Sequence, residues 1–401
     1  MKILMLTSYL PYPPSSGGQV RSYNLIKNLA KKHQISLFAL IKDEAERKHV
    51  KELEKFCHKV RIFRRPERPW MLTNILKTGF GFYPFLVVRN SSVEEKKALA
   101  EELEKETYDL IHAENFYVMP HIPKTKIPIL LTEQTIFYQV YRHYVATLPW
   151  YLFFLKIVLI IDILKLKYWE SYYWRQANYL AAVSEDDINY IKKVIPGRKV
   201  FLIPNGVDFE FYSQKKYPKN KQATLLFGAA DFHWMQNTEG AKLLIEKVWP
   251  IIKEKNQAVK LWIVGKIASE ALASYVGKER IVIQEIKDSR EAYQRSWVLV
   301  APMRSGGGSR TKFFEAMASG LPIVTTSEGV EGIKAKDKEE IFVENDLGLL
   351  AEKVLMLLED KDLAKKVGQK ARELVKEQYS WNKSAQALDK AYQEVASGQK
   401  N

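Results

Sequence analysis

The sequence has few of the features that mark several common protein classes. It contains a single cysteine, Cys57, so no disulfide can form within the chain, which fits a reducing compartment. A lone cysteine of this kind is expected to be a small buried residue. No histidine and carboxylate cluster with metal-ligand spacing and no His-Glu-x-x-His motif occurs, so no metal is implied. The one Asp-x-Asp, Asp360-Lys361-Asp362, lies between two predicted helices and is interpreted as a solvated turn.

Long uninterrupted apolar runs are also missing. The most hydrophobic stretch, 148–166, contains Lys156 and Asp162, so a transmembrane helix is not predicted. Two interpretations remain for this stretch: a long helix on a domain surface, or a helix in a membrane interface that is flanked by Trp and Tyr rings. The N-terminal MKILMLTSYLPYPP has a short apolar run and no small-residue cleavage site, so it is predicted to be a first β-strand and not a signal peptide.

Acidic residues are outnumbered by basic ones, with 47 Asp and Glu against 62 Lys and Arg, a net charge of +15. This excess favours an anionic partner, such as an anionic membrane, a phosphorylated small molecule or nucleic acid. Because no nucleic-acid recognition motif and no dense basic tail is present, nucleic acid is the least supported of the three.

Short apolar, β-branched segments alternate with helical patterns along the whole chain. This alternation predicts an α/β fold with parallel sheets, and 401 residues suit two such domains. The predicted strands are 2–10, 35–41, 60–63, 110–113, 127–132 and 179–183, then 224–227, 260–264, 281–284, 298–301, 322–325 and 341–343.

We therefore expect two Rossmann-like domains that face each other across a cleft. The first covers residues 1–203 and the second covers 204–380. A C-terminal helix, 381–401, is expected to cross back to the first domain, and 204–222 is expected to be an irregular linker. In such folds, ligands bind at the carboxyl ends of the strands.

The segment from Pro302 to Pro322, PMRSGGGSRTKFFEAMASGLP, carries the clearest chemistry. Three glycines, residues 306–308, separate a strand from a helix start and allow a ligand to approach the backbone closely. Free N–H groups at a helix start favour phosphate, and an anion there also resolves the unfavourable position of Arg310 and Lys312 beside the helix dipole. Glu315, one turn further, is suited to a pair of sugar hydroxyls, as on ribose.

The run GGGSRTKFFEAMASGLPIVTT resembles the donor site of GT-B glycosyltransferases, in particular the retaining family 4. The resemblance spans nearly the whole chain, since the first strand with its Gly-Gly loop, IPNGVD, LWIVG and Tyr379-Ser380-Trp381 follow in the expected order. It implies a nucleotide-diphosphate sugar as donor, with no cofactor and no metal.

The resemblance also implies roles for individual residues. Glu315 would bind the donor ribose, Arg310 and Lys312 the diphosphate, and His112 the transferred sugar. The remaining expected donor contacts come from two glycine-containing loops: Gly17, Gly18, Arg304, Gly306, Gly307, Gly308 and Ser309. Glu114 and Glu133 follow predicted strands of the first domain and are weaker candidates for the acceptor side.

Two departures from the family pattern stand out. Gly307 occupies the position of the first glutamate of the family's E-x7-E motif, which contacts the sugar ring. The segment 227–237, FGAADFHWMQN, lacks the Arg and Lys that many members use to hold the diphosphate, so Arg310, Lys312 and Arg304 are expected to supply that charge.

The predicted function is sugar transfer to a lipid-linked, polysaccharide or other glycan acceptor in cell-envelope or exopolysaccharide biosynthesis. The predicted location is the cytoplasm, with an anionic membrane at its inner face as a further candidate partner. Three alternatives stay open. They are a non-catalytic sugar-nucleotide-binding subunit, a sugar-nucleotide epimerase of the same fold, and a two-lobed solute-binding protein, which the absence of an export signal disfavours.

Overall fold

Two parallel β-sheets organise the chain, which a computed structural model describes for residues 1–66, 68, 70–304 and 311–398. Unit 1 consists of Met1–Pro204 together with the C-terminal segment that begins at Ser384, and unit 2 consists of Asn205–Lys383. Each unit has its own buried apolar core.

Unit 1 contains, in the part of the chain described, a seven-stranded sheet of order β3-β2-β1-β4-β5-β6-β7 with every pair parallel. Its strands are β1 (Lys2–Thr7), β2 (Gln34–Ile41), β3 (Lys59–Arg64), β4 (Leu110–Glu114), β5 (Ile129–Glu133), β6 (Tyr179–Ala182) and β7 (Val200–Leu202). Its helices are α1 (Gly17–Leu29), α2 (Val50–Glu54), α3 (Leu72–Phe80), α4 (Phe85–Val88), α5 (Val93–Lys105), α6 (Phe137–Thr147), α7 (Phe153–Gln176) and α8 (Glu185–Val194).

Unit 2 contains, within the described ranges, a six-stranded parallel sheet of order β10-β9-β8-β11-β12-β13. Its strands are β8 (Thr224–Asp231), β9 (Lys260–Lys266), β10 (Ile281–Gln284), β11 (Val298–Ala301), β12 (Ile323–Thr325) and β13 (Phe342–Val343). Its helices are α9 (Phe209–Ser213), α10 (Met235–Leu243), α11 (Trp249–Lys255), α12 (Ala268–Ala271), α13 (Ser289–Arg295), α14 (Thr311–Ala318), α15 (Ser327–Val330), α16 (Leu347–Glu359) and α17 (Lys361–Gln378). A last helix, α18 (Trp381–Ser397), begins in unit 2 and continues into unit 1.

The strands form because their sequences are apolar on both faces. In β2 every residue after Gln34 is buried, as expected for a parallel strand that is covered by helices on both sides. In each sheet, the first strands are added toward one edge and the later strands toward the other. The change occurs between β1 and β4 in unit 1 and between β8 and β11 in unit 2. These two switch points are where open parallel sheets leave a crevice for ligands.

The predicted α/β class and all twelve predicted strands are confirmed, with ends that differ by a few residues. The prediction that 204–222 is wholly irregular is wrong. Asp208 accepts a hydrogen bond from the Phe211 N–H (3.0 Å) and starts α9, and the Val207 N–H donates to the Tyr379 carbonyl (2.8 Å). Asp208 is a favourable helix cap, so this segment folds onto unit 2.

The tail contributes to unit 1, and the Asp360 turn joins two helices of unit 2. Leu388 and Tyr392 of α18 lie in the apolar core of unit 1. Asp360 accepts a hydrogen bond from the Leu363 N–H (2.8 Å) and caps α17, which begins directly after α16 ends. Cys57 is buried, and its burial raises the pKa of the thiol to about 12, so it is an unreactive core residue.

The hydrophobic stretch 148–166 forms a short 3-10 turn, Trp150–Leu152, and the first half of α7. None of the described helices alone has the length and apolar composition needed to cross a membrane. One pair of helical segments has the required length and apolar composition when taken together, Phe137–Thr147 with Trp150–Gln176, and this pair is bent by 119°.

Candidate functional site

The candidate donor site of unit 2 lies at the carboxyl edge of its sheet, beside the switch point between β8 and β11. The loop after β11 is held by the Thr326 hydroxyl, which donates to the Met303 carbonyl (2.6 Å). Helix α14 begins at Thr311 and points its first turn at this edge. The expected ligands Gly306, Gly307, Gly308, Ser309 and Arg310 lie outside the described residues. Arg304 is described, and its side chain is exposed.

Lys312 of α14 is directed at the end of β8. Its Nζ donates to Asn237 Oδ1 (2.9 Å) and lies 4.8 Å from the centroid of the Phe227 ring, while the residue as a whole is buried. Asn237 is itself fixed, because its Nδ2 donates to the Asp231 carbonyl (2.8 Å). A buried ammonium that is positioned beside a helix start provides a fixed positive charge for a diphosphate. Lys312 of α14 therefore brings a positive charge next to segment 227–237, which contains no Arg or Lys.

Glu315 lies one turn after Lys312, on the same side of α14. Its half-buried carboxylate accepts a hydrogen bond from Tyr293 Oη (2.8 Å), and Tyr293 Oη in turn accepts from the Ala229 N–H (3.2 Å). Burial raises the pKa of Glu315 to about 7, although hydrogen bonds from Tyr293 and Tyr212 act to lower it. The carboxylate is thus orientated by two tyrosines and has lost part of its hydration, which suits it to accept hydrogen bonds from a diol.

The carboxyl edge of unit 1 carries a hydrogen-bonded cluster around Tyr9. Gln134 Nε2 donates to Tyr9 Oη (2.9 Å) and to Glu114 Oε2, and Tyr9 Oη also shares a hydrogen bond with Ser22 Oγ (3.1 Å). A Cβ at Gly18 would lie 2.8 Å from Tyr9 Oη, so this glycine is required by packing inside the protein.

Gly17 differs from its neighbour. It is the exposed first residue of α1, and a Cβ there would meet nothing within 4 Å. Its backbone N–H group is at a helix start with no acidic side chain in the first turn, where an anion is favoured. Of the two predicted glycine contacts, only Gly17 has open space beside it for a ligand.

His112 is fully buried inside unit 1, which corrects the expectation that it bonds the transferred sugar. Its Nδ1 is hydrogen-bonded to Tyr392 Oη (2.7 Å) and its Nε2 to Thr132 Oγ1 (2.8 Å). Because both ring nitrogens have protein partners, none is available to a substrate in this conformation. Burial lowers the pKa of His112 to about 4, so the ring is neutral. The position two residues later in the strand, Glu114, is nearer the carboxyl edge.

Glu114 and Glu133 are also completely buried, so their expected exposure to an acceptor is corrected too. Glu114 accepts from Gln134, and Glu133 Oε1 accepts from Trp174 Nε1 (2.9 Å). Burial, with Glu170 close by, raises the pKa of Glu133 well above its usual range. Glu170 accepts hydrogen bonds from the Phe137 and Tyr138 N–H groups at the start of α6. These carboxylates therefore hold elements of unit 1 together.

Sequence reasoning missed Asn237, Tyr293, Tyr9 and Gln134 as components of the two sheet edges. Each has a partner 20 to 125 positions away in the chain, and the shorter-range contacts are Tyr9 with Ser22 and Asn237 with Asp231. No local motif marks such contacts. Among the described residues, no group of three or more His, Cys, Asp or Glu side chains is arranged to hold a metal ion.

Family comparisons match both halves of the chain. The model for Glycosyltransferase Family 4 matches residues 15–211, and the model for Glycosyl transferases group 1 matches residues 223–360. The chain belongs to glycosyltransferase family 4. It is a GT-B glycosyltransferase, as the resemblance of its Pro302–Pro322 segment implied.

Individual relatives of this glycosyltransferase are distant. A protein of Klebsiella pneumoniae described as an uncharacterized 44.6 kDa protein in the cps region is 22% identical over 400 residues, covering 95% of this chain and 97% of the relative. The structure of a sucrose-phosphate synthase from Thermosynechococcus elongatus has a TM-score of 0.71 at 16% identity, covering 99% of this chain and 100% of the other. A variant of S. aureus TarM, in complex with fondaparinux, α-GlcNAc-glycerol and UDP, has a TM-score of 0.65 at 12% identity, covering 98% and 99%. At these identities the structures show that the glycosyltransferase shares their fold.

Proposed function

We propose that this glycosyltransferase binds a nucleotide-diphosphate sugar on unit 2 and transfers the sugar, with retention of configuration, to a glycan or lipid-linked acceptor on unit 1. The observation that carries the proposal is the pair Lys312 and Glu315 on one face of α14. Side chains three residues apart on a helix have Cβ atoms roughly 5–6 Å apart. That spacing suits a cation that binds a diphosphate and a carboxylate that binds the adjoining ribose.

The chemistry required of the protein is modest. In a retaining transfer of this kind, the leaving phosphate oxygen takes the acceptor's proton on the same face of the sugar. The protein must then stabilise the negative charge that grows on the diphosphate and hold both substrates in line. Lys312, fixed by Asn237, and Arg304, exposed three residues after β11, provide positive charge. Gly17 provides a helix N-terminus with open space for phosphate.

The biological setting is inferred from the relative. The Klebsiella protein is described by its position in the cps region, which supports a role in capsule or other cell-envelope polysaccharide assembly. A single cysteine and the absence of an intrachain disulfide support a cytoplasmic site of action. The UDP in the TarM complex makes a UDP-sugar the first donor to test.

A thermal-shift screen with UDP-, GDP- and ADP-sugars tests the donor. Because a ligand that binds only the native state stabilises it by mass action, a donor at 100 times its Kd should add about 2.7 kcal/mol to the unfolding free energy. We expect one nucleotide class to raise the melting temperature of the full chain by several degrees. If no nucleotide sugar does so, the donor assignment is wrong. Release or transfer of the sugar from the stabilising donor then separates an enzyme from a non-catalytic binding subunit.

A further inference from the structure

The exposed apolar side chains of unit 1 are concentrated in two segments, residues 70–83 around α3 and 150–168 at the start of α7. Most large hydrophobic residues that the described structure exposes belong to these two segments. Phe80 is 91% exposed, Phe82 is 86% exposed and Trp150 is 83% exposed. We call the outer side of these segments the α3–α7 surface. Contiguous apolar exposure on this scale marks an interaction site and not an ordinary solvated face.

Polar contacts join the two segments into one ordered surface. Lys165 Nζ donates to the carbonyls of Thr78 (2.6 Å) and Gly81 (2.7 Å), which satisfies the C-terminus of α3. Trp169 Nε1 donates to the Phe82 carbonyl (2.8 Å). Since the backbone groups at the end of α3 are bonded inward to α7, the apolar side chains are left facing outward.

Helix α7 lacks the usual division into a polar and an apolar side. Its first half, FFLKIVLIIDI, is apolar around most of its circumference, and its first buried residue is Ile163. A helix that is apolar all round is stable when it is covered on all sides, by protein or by lipid. The second half of α7 packs in the core of unit 1, through residues such as Leu166 and Trp174, so the first half is the part that needs a partner.

The charge around the α3–α7 surface identifies the partner. Segments 64–89 and 142–169 contain two acidic residues, Glu67 and Asp162, against nine basic ones: Arg64, Arg65, Arg68, Lys77, Arg89, Arg142, Lys156, Lys165 and Lys167. The Asp162 carboxylate is already used, because its Oδ1 accepts from the Phe85 N–H (2.8 Å). The apolar surface therefore has a cationic border, as expected of a protein that meets anionic lipid headgroups.

Two of the border arginines, Arg65 and Arg89, are suited to bind an anion. Among the described residues, the buried Nε atoms of Arg65 and Arg89 have no hydrogen-bond partner. Arg65 donates to Asn90 Oδ1, and burial together with the nearby charge of Arg89 lowers the pKa of Arg65 to about 10, so the two guanidinium groups lie close to each other. They adjoin the apolar surface through α4, whose Phe85 ring stacks on Trp70 at a centroid distance of 4.6 Å. Two adjacent cations of this kind favour a phosphate between them.

We propose that the α3–α7 surface docks on an anionic lipid bilayer, with Phe80, Phe82 and Trp150 entering the boundary between headgroups and acyl chains. A second copy of this chain is a poorer partner, because a two-fold contact would place the same cationic borders opposite each other. If the proposed function holds, the surface holds unit 1 at the membrane and the acceptor is carried by a lipid.

Vesicle flotation of the full chain tests the docking surface without donor or acceptor. At low salt, we expect binding to phosphatidylcholine vesicles that contain phosphatidylglycerol, and weaker binding to phosphatidylcholine alone or at high salt. The double variant Phe80→Ser/Phe82→Ser should lower the partition coefficient at least about tenfold, because both rings are exposed and add apolar area to the contact. Leu349→Ser, an exposed apolar residue of unit 2, is the matched control and should bind like the wild type.

The charge contribution is tested separately with Arg89→Gln, which should weaken binding to the anionic vesicles and leave binding to the neutral ones unchanged. The proposal is overturned if the wild type does not bind anionic vesicles at low salt, or if Phe80→Ser/Phe82→Ser binds them as well as the wild type does. It is also overturned if the wild type is a dimer that the double variant converts to a monomer without any loss of vesicle binding. Stabilisation by a nucleotide sugar is measured without vesicles, so failure of docking leaves the donor proposal intact.

Discussion

At the scale of single residues, Glu315 shows how the fold changes the chemistry of a side chain. Its position in the EAMASGLP run marks it in the sequence, but its environment depends on Tyr293, which comes from a different helix 22 residues earlier. Burial raises the pKa of Glu315 to about 7, so its charge changes near neutral pH. Lys312, three residues before it, could likewise be selected from sequence, whereas its partner Asn237 could not.

The raised pKa of Glu315 gives a pH dependence with a defined sign. Because the folded pKa lies above the unfolded value of 4.5, the native state is favoured at low pH, and stability from this group is lost as pH rises from about 4.5 through 7. In the proposed ribose site, the ionised carboxylate would accept hydrogen bonds from both ribose hydroxyls, so affinity for the donor sugar nucleotide should increase between pH 6 and pH 8.

Glu315→Gln should bind the donor at least about tenfold more weakly at pH 8, since a hydrogen bond to a charged group contributes about 1.5–3 kcal/mol. It should also lose the pH dependence of donor affinity. Titration calorimetry at pH 6 and pH 8 measures both effects, with the exposed Glu373→Gln as control. Equal affinities for the wild type and Glu315→Gln at pH 8 would remove Glu315 from the ribose site.

At the scale of elements, the sequence predicts the strands well because each is a short apolar run between turn residues. The strand it missed, β7, has three residues that are all half-buried at the sheet edge, so its apolar signal is weak. Helices α10 and α11 are separated by a π-helical segment, Leu244–Val248, which no local pattern marks. The candidate substrate contacts in unit 1 were chosen because they lie near the ends of predicted strands: His112, Glu114 and Glu133. A position near a strand end does not by itself distinguish a side chain in the crevice from one in the core.

The crossing of α14 and α17 gives a prediction at this scale. Gly368 of α17 packs against the Gly320 carbonyl at the end of α14, where Gly320 has a φ of +73° and a Cβ at Gly368 would overlap that oxygen. Gly368→Ala should therefore push α17 away from α14 and reduce the unfolding free energy by about 1–3 kcal/mol. Donor affinity should fall as well, because α14 carries Lys312 and Glu315.

Chemical denaturation and donor titration measure these two effects of Gly368→Ala. The exposed neighbour Gln369→Ala, on the same helix, is the matched control and should change neither quantity. If Gly368→Ala is as stable as the wild type, then α14 and α17 are not in close contact in solution.

At the scale of the whole molecule, the division into two units follows from two complete runs of alternating strands and helices. The sequence also marks the excess of positive charge, but it does not show where the charge and the exposed apolar residues coincide. That coincidence, at α3 and α7 of unit 1, arises because residues 70–83 and 150–168 are brought together by Lys165 and Trp169.

The central claim for the whole molecule is that a nucleotide-diphosphate sugar is held and activated at α14 of unit 2. Turnover of the stabilising donor by Lys312→Ala tests it most directly, with the exposed Lys365→Ala of α17 as control. Losing one hydrogen bond to a charged group costs about 1.5–3 kcal/mol, so we expect kcat/KM to fall at least about tenfold for Lys312→Ala and to stay unchanged for Lys365→Ala. Full activity in a folded Lys312→Ala enzyme would contradict the assignment of the diphosphate site.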